Sequence, residues 1–292
     1  MNYIAMYINY DEIPSLEFSC INRNIIVALS EPKVCDVILI INKKIRDSFY
    51  YQTSYANMNG IHLIDADEYI DYVNTKLIRG GLDKSYLARI KHNHYADYLA
   101  YYSTEIVNYF EIDTSGEAKI LKLDTDVYLT SKFALRNIFE CNRDTFLGVD
   151  EGFIYKYVNG DPNCLPNYFY NAHAVYCTGN SKILCRDKFI EYLVDSIDYL
   201  HYTSTGPRLL NDIYEYPDDN MYLPGLTPWT LDPSKLDINI GTNKIELKVK
   251  SSALGIHLQS SVLKSIGMLD GEIRYKDFSA DTIEITFRGV NE

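Results

Sequence analysis

Two aspartates one residue apart interrupt a hydrophobic run, and they are the residues best placed to do chemistry. The run extends from Ile120 to Leu129, with Asp124 and Asp126 near its middle. This pattern predicts a buried strand that reaches the surface at Asp124 and turns inward again after Asp126. Side chains at positions i and i+2 of a strand leave it on the same side. Two buried like charges so close together are costly without a cation between them. The pair therefore predicts an octahedral Mg²⁺ or Mn²⁺ site completed by waters and diphosphate oxygens.

Two other groups of residues are of types that bind metals, but we do not expect them to form a metal site. Asp65 and Asp67 repeat the Asp-x-Asp spacing, directly after an apolar segment. Further acidic residues follow them, which is typical of a helix N-terminus where carboxylates favour the helix dipole. His92 and His94 have no partner at metal-ligand spacing, so we expect both to lie on a helix surface.

The elements that must position these residues alternate between strand and helix. Residues 3–9 predict a buried strand, 14–30 a helix and 34–41 a second strand, which together make a right-handed parallel unit. Further strands are expected over residues 61–64, 146–149 and 172–176. Further helices are expected over residues 84–110 and 186–200, the first of them with a break after Tyr102. The sequence therefore predicts an α/β fold.

The chain of 292 residues has room for one large α/β domain. We find no repeat and no convincing linker, so a single domain over residues 1–292 is expected. Alternating residues in 244–249 and 282–287 predict a β-rich C-terminal extension over about residues 235–292. Residues 153–170 are rich in Tyr, Asn, Pro and Gly, which suggests an active-site loop.

Composition excludes some classes of partner. The formal net charge of −12 argues against nucleic-acid binding, which needs a basic surface. It does not argue against a nucleotide diphosphate, because a bound cation reverses the local sign. No apolar stretch reaches about 18 residues, so no transmembrane segment is expected. Scattered cysteines without a C-x-x-C pair, and an N-terminus unlike a signal peptide, predict a cytoplasmic protein that can associate peripherally with the inner face of the membrane.

Short motifs occur in a recognisable order along residues 3–262. They are Ile13-Pro14, the apolar segment Val37 to Ile40, Tyr95-Ala96-Asp97-Tyr98-Leu99, the segment Leu121 to Val127, Ser204-Thr205-Gly206-Pro207 and Gly255-Ile256-His257-Leu258. This order resembles the GT-A fold glycosyltransferases with a DxD motif, in particular glycosyltransferase family 32, which contains capsular-polysaccharide sugar transferases. There are departures: the family's helix arginine falls at Ala100, and the aromatic residue after the C-terminal histidine is absent.

The resemblance implies a fold and a reaction. The fold would be a Rossmann-like nucleotide-diphospho-sugar transferase fold, with a mostly parallel central sheet and helices on both faces. The reaction would be metal-dependent transfer of a hexosyl or N-acetylhexosaminyl group, with retention, using Mn²⁺ or Mg²⁺. The donor would be a UDP- or GDP-sugar. The acceptor would be a glycan or lipid-linked glycan of a capsule, O-antigen or other surface polysaccharide.

The resemblance also implies roles for particular residues. Asp126 would bind the cation directly, Asp124 would contact the ribose or reach the metal through water, and His257 would be a third ligand. Asp150 and Glu151, after the next strand, are further candidate catalytic carboxylates that would hold the acceptor or the donor sugar.

Nucleotide-sugar contacts are implied at three more positions. Asp97 would hydrogen-bond a donor-sugar hydroxyl or the nucleotide, and Asn171 would line the acceptor side of the nucleotide-sugar site. Gly206 would allow a close backbone approach to the ligand.

Two alternative functions remain open from the residues. The chain could be an effector-type glycosyltransferase that modifies a host protein. It could also be a non-catalytic α/β binding module whose acidic pair only caps a turn, an interpretation to which Ala100 gives some weight.

Overall fold

The structure is a computed structural model, and its described residues cover most of the N-terminal half and separate segments beyond it. They are 1–48, 59–130, 132–140, 147–150, 170–178, 186–198, 205–206, 208–209, 236–240, 244–249, 253–258, 271–275 and 282–287. The loop predicted over residues 153–170 lies outside them, apart from its last residue, Tyr170. Glu151 also lies outside them.

Within these segments the strands form three sheets. In chain order they are β1 (Asn2–Ile8), β2 (Asp36–Ile41), β3 (Ile61–Asp65), β4 (Lys119–Leu123), β5 (Val127–Leu129), β6 (Leu147–Asp150), β7 (Tyr170–Thr178), β8 (Leu236–Ile240), β9 (Lys244–Val249), β10 (Gly255–His257), β11 (Gly271–Tyr275) and β12 (Thr282–Phe287). The central sheet has the order β3-β2-β1-β4-β7-β6, β5 pairs with β10, and a C-terminal sheet has the order β11-β12-β9-β8. The β-rich C-terminal part is confirmed.

Six α-helices lie among the described residues, and they include those predicted over residues 14–30 and 186–200. They are α1 (Ser15–Leu29), α2 (Lys43–Arg46), α3 (Ala66–Arg79), α4 (His92–Tyr109), α5 (Lys132–Glu140) and α6 (Arg186–Asp198). The single helix predicted over 84–110 is wrong in its first part, because Lys84–Arg89 is a separate 3₁₀ turn. The predicted break is confirmed at Tyr102, whose φ of −119° and ψ of 20° are not helical.

The central sheet is mostly parallel and is covered by helices on both faces. Strands β1, β2, β3 and β4 run parallel, and β7 runs antiparallel to β4 and β6. Alternate residues of β1 enter opposite cores. Tyr3, Ala5 and Tyr7 pack with residues of α3, α4 and α6. Ile4 and Met6 pack with residues of α1 and α5. The predicted α/β class and layer order are therefore confirmed.

The hydrophobic run around Asp124 is two strands in different sheets. Strand β4 belongs to the central sheet and ends at Leu123, whereas β5 leaves that sheet to pair with β10. The Val127 amide donates to the Asp124 carbonyl over 3.2 Å and closes the turn between them. The prediction of one continuous strand is wrong, but the predicted emergence of the chain at Asp124 is confirmed.

The second Asp-x-Asp pair has the expected structural role. Asp65 caps helix α3, and its side chain accepts a hydrogen bond of 2.9 Å from the Asp67 amide. Asp67 itself is exposed in the first turn of that helix. These carboxylates satisfy helix amides and complement the dipole.

The prediction that His94 lies on a helix surface is wrong. Its side chain is buried, with Nδ1 accepting from the Lys91 amide over 3.0 Å and Nε2 lying 3.1 Å from Ser196 Oγ. Burial lowers the pKa of His94 to about 4, with a smaller contribution from the charge of Lys91. A neutral ring with its proton on Nε2 satisfies both contacts.

Candidate active site

Loops from several parallel strands meet at the carboxyl edge of the central sheet. Asn9 and Tyr10 follow β1, Asn42 follows β2, and Asp124 follows β4. Asn42 Nδ2 donates to the Tyr10 carbonyl, and the Tyr10 hydroxyl lies 2.9 Å from Thr125 Oγ1. Open α/β sheets bind ligands at this edge. The loops are therefore tied to one another where a ligand is expected.

Asp126 and His257 are brought together although 131 positions separate them in the chain. Strand β10 pairs with β5 so that His257 is opposite Val127, and the Leu258 amide donates to the Asp126 carbonyl over 3.0 Å. As a result His257 Nε2 lies 3.3 Å from Asp126 Oδ1. The His257 side chain is buried, and that of Asp126 is partly exposed.

Close backbone approach makes this pairing possible. A Cβ added at Gly255 would lie 2.4 Å from the Tyr128 carbonyl oxygen. Real Cβ atoms do not approach a backbone oxygen so closely, so a glycine is needed here. Gly255 therefore lets β10, and with it His257, come close to the turn that contains Asp124 and Asp126, here called the acidic turn.

Asn24 of helix α1 holds strand β5 through two hydrogen bonds. Its Nδ2 donates to the Val127 carbonyl over 2.9 Å, and its Oδ1 accepts from the Leu129 amide over 3.0 Å. The side chain is fully buried. Asn24 therefore takes the place of a neighbouring strand and fixes the strand that follows Asp126.

Lys122 is a site residue that the sequence interpretation missed. It lies in β4, its side chain is 2% exposed, and its ammonium group forms an ion pair with Asp124 Oδ1. A lysine between Leu121 and Leu123 in an apolar strand, two residues before Asp124, was the available signal. Residues i and i+2 of a strand share a side, so this spacing brings the ammonium to the carboxylate.

An aromatic group flanks Asp124. The His92 ring packs against the rings of Tyr7 and Tyr10, with centroid distances of 4.7 Å and 5.0 Å. Burial lowers the pKa of His92, while the charge of Asp124 raises it and that of Lys122 lowers it. His92 therefore lies near the Lys122–Asp124 pair.

Glu17, in the first turn of α1, is a third carboxylate at this edge that the sequence interpretation missed. It is 4% exposed, and its Oε2 has no hydrogen-bond partner in the described part of the chain. A glutamate here normally bonds back to the amide of the capping residue. That residue is Pro14, which has no amide hydrogen. Burial raises the pKa of the Cys20 thiol, and the charges of Asp126 and Glu17 raise it further, so both carboxylates lie near Cys20.

We expect Glu17→Gln to stabilise the metal-free protein by about 1 kcal/mol, because it removes the charge of a buried carboxylate whose Oε2 has no hydrogen-bond partner among the described residues. Thermal unfolding in the presence of a chelator measures the change. Glu68→Gln is the matched control, since Glu68 is exposed in the first turn of α3 and its loss removes only the interaction with the dipole. A lower melting temperature for Glu17→Gln than for wild type would show that Glu17 has a partner in the fold.

The structure also brings Asp97 and Gly206 together. The Gly206 amide donates to Asp97 Oδ2 over 2.9 Å, and the Tyr101 hydroxyl donates to the Gly206 carbonyl. Asp97 is buried in helix α4. This hydrogen bond fixes the segment at Thr205 and Gly206 against α4, next to Ser196 of α6, whose Oγ lies 3.4 Å from Thr205 Oγ1.

The backbone places Asp150 and Asn171 at the same edge as Asp124. Strand β6 runs in the direction of β4 and ends at Asp150, while β7 starts at that edge and runs back. The register pairs Asp150 with Tyr170 and Val149 with Asn171. Glu151, the next candidate, lies outside the described residues.

The donor set at the acidic turn fits a divalent cation. Two adjacent ligands of an octahedral ion, each about 2.1 Å from it, stand about 3.0 Å apart, and Asp126 Oδ1 and His257 Nε2 are 3.3 Å apart. An imidazole nitrogen with a carboxylate suits Mn²⁺ better than Mg²⁺. Across the described ranges, no three His, Cys, Asp or Glu side chains converge as a metal cluster. A cation bound by Asp126 and His257 would therefore need further oxygen ligands to complete its coordination.

Comparison with known proteins shows the fold. No protein-family model matches the chain, and no curated protein matches it. Among solved structures, mouse xyloside xylosyltransferase 1 in its apo form is similar, with a TM-score of 0.51, 10% identity and coverage of 80% of this chain and 91% of that chain. The galactosyltransferase LgtC with donor and acceptor sugar analogues matches with a TM-score of 0.45, 13% identity and coverage of 77% and 76%. The chain has a GT-A-type α/β fold, with a mostly parallel central sheet.

Proposed function

We propose that the chain is a metal-dependent glycosyltransferase that moves a sugar from a nucleotide-diphosphate sugar to a glycan acceptor. The observation that carries the proposal is the Asp126–His257 pair beside Asp124, at the carboxyl edge of a sheet with this fold. A carboxylate and an imidazole 3.3 Å apart on a partly exposed turn are suited to holding a cation together with diphosphate oxygens.

The donor nucleotide would lie over the ends of β1 and β4. Tyr10 and His92 are partly exposed rings beside Asp124 and offer a planar surface for a base. Asp124 is suited to accept a hydrogen bond from a ribose hydroxyl, because its side chain is 28% exposed at the strand end. We propose a UDP- or GDP-sugar as the donor.

Asp126 and His257 would hold Mn²⁺ or, less well, Mg²⁺, which when bound neutralises charge on the diphosphate leaving group. Asp150 and Asn171, whose backbone lies at the same edge, are proposed to contact the sugar as positive charge develops at its anomeric carbon. In a front-face reaction the departing phosphate takes the proton of the acceptor hydroxyl, so the protein need not supply a base. Retention of configuration is proposed from the resemblance to family 32.

The acceptor is proposed as a capsule, O-antigen or other surface glycan, and the transferred group as a hexose or N-acetylhexosamine. The shared fold with a xylosyltransferase supports sugar transfer as the reaction class. Among the described residues no helix has the length and apolar character to cross a bilayer. We propose that the protein acts in the cytoplasm, at the inner face of the membrane when the acceptor is lipid-linked.

Melting temperatures with Mn²⁺ and a panel of UDP- and GDP-sugars test this function. We expect stabilisation that requires metal and one nucleotide-sugar together, because a ligand that binds only the folded state raises its stability. The same nucleotide-sugar should be hydrolysed slowly without an acceptor. Indifference to every combination would instead favour a non-catalytic binding module. Transfer to protein but not to glycan acceptors would favour an effector-type enzyme.

A further inference from the structure

Lys122 carries a positive charge into the centre of the sheet. Its neighbours across the strands are Ala5 of β1 and Val175 of β7. Both belong to the apolar core beneath α4, together with Ile120, which lies two residues earlier on the same side of β4. The aliphatic part of the side chain therefore passes through the core, and the ammonium group emerges at the strand end beside Asp124.

Fold stability does not explain this arrangement. Burying an ammonium group is costly, and a buried ion pair is often no more stable than apolar residues of similar size. The partner carboxylate is the first aspartate of the acidic turn and not a residue of the distant core. The position of the pair therefore points to a role in ligand binding.

The charges at this edge suggest what that role is. Three carboxylates, Glu17, Asp124 and Asp126, lie near Tyr10, and Asp124 forms an ion pair with the Lys122 ammonium group. Lys122 already compensates Asp124, whereas Asp126 is paired with His257, a group that can ligate a metal.

We propose that Lys122 is a positioning residue that keeps Asp124 out of the metal coordination sphere and directs its second oxygen to the nucleotide. The inference rests on the proposed function and assigns separate tasks to the two aspartates. Asp126 and His257 become the protein ligands of the cation, and Asp124 becomes a nucleotide contact. With two protein ligands, the cation should bind weakly alone and more tightly once a diphosphate supplies further oxygens.

The variant Lys122→Met tests whether Asp124 and Asp126 have these separate tasks. Calorimetry measures its affinity first for MnCl₂ and then for UDP or GDP in saturating Mn²⁺. Methionine is similar in size and apolar, so the core should tolerate it. Without nucleotide, we expect the variant to bind Mn²⁺ about ten-fold more tightly than wild type, because a repelling charge is removed and the Asp124 oxygen that Lys122 contacts is released to ligate. Nucleotide affinity should fall by about ten-fold, because Asp124 is diverted to the metal.

Two further variants separate this role from a structural one. Lys122→Arg keeps the charge and should retain the weak Mn²⁺ affinity of wild type. Adding Asp124→Asn to Lys122→Met should abolish most of the increase in Mn²⁺ affinity, since that increase requires the released carboxylate of Asp124. A lower melting temperature with unchanged or weaker Mn²⁺ binding in Lys122→Met would overturn the inference and leave the proposed function standing. Failure of wild type to bind Mn²⁺ with either nucleotide would overturn both.

Discussion

Asp126→Ala is expected to lower sugar transfer and donor hydrolysis by about a thousand-fold or more, because a divalent ion contributes several kcal/mol to stabilising a charged leaving group. Asp126 supplies the carboxylate oxygen that lies 3.3 Å from His257 Nε2. The fold should remain nearly intact, since the Asp126 carbonyl that accepts from the Leu258 amide is retained in alanine. Initial rates with the donor identified by the melting panel measure the effect.

The second Asp-x-Asp pair provides the matched control for this variant. Asp67 is exposed in the first turn of α3, so Asp67→Ala should leave both activities close to those of wild type. Circular dichroism and melting temperature should show that both variants are folded. Wild-type turnover in folded Asp126→Ala would remove Asp126 from the active site.

Asn24→Ala is expected to lower the free energy of unfolding by about 2–4 kcal/mol. The change leaves the Val127 carbonyl and the Leu129 amide without their side-chain partner, and each buried group left unpaired costs about 1–3 kcal/mol. Because β5 directly follows Asp126, the affinity for Mn²⁺ and nucleotide should also fall. Urea denaturation and calorimetry measure the two effects.

Asn93→Ala is a suitable comparison, because Asn93 is exposed on helix α4. It should change stability by no more than about 0.5 kcal/mol. If Asn24→Ala unfolds at the same urea concentration as Asn93→Ala, the side chain of Asn24 does not hold β5 in solution.

Local patterns in the sequence were sufficient for most of the sheet. Apolar runs predicted β1, β2 and β3 to within a few residues, and alternation predicted β9 and β12. The apolar flanks of Asp124 predicted where the chain leaves the sheet, because a charged pair in such a run must reach the surface. The helix break at Tyr102 was also predicted from the spacing of apolar residues.

Interactions between distant residues could not be predicted in the same way. The antiparallel pairing of β5 with β10 brings His257 to Asp126, and three-residue strands carry too little pattern to specify a partner. The two bonds from Asn24 depend on how α1 packs against β5. Glu17 and His94 were missed because their burial depends on elements far away in the chain.

The resemblance to family 32 pointed to two residues that are in contact in the structure. Asp97 and Gly206, expected at the nucleotide-sugar, are joined by a hydrogen bond of 2.9 Å. Their contact with a ligand stays a prediction, as do the roles of Asp150 and Asn171. Because this hydrogen bond holds Gly206 against α4, Asp97 also has a structural role.

The cation site proposed at the acidic turn can be tested with a crystal soaked with MnCl₂ and the nucleotide that stabilises the protein. We expect a manganese anomalous peak bonded to Asp126 and His257 Nε2, with diphosphate oxygens completing its coordination and Asp124 facing the ribose. Manganese and nucleotide bound elsewhere, with this turn free of both, would contradict it.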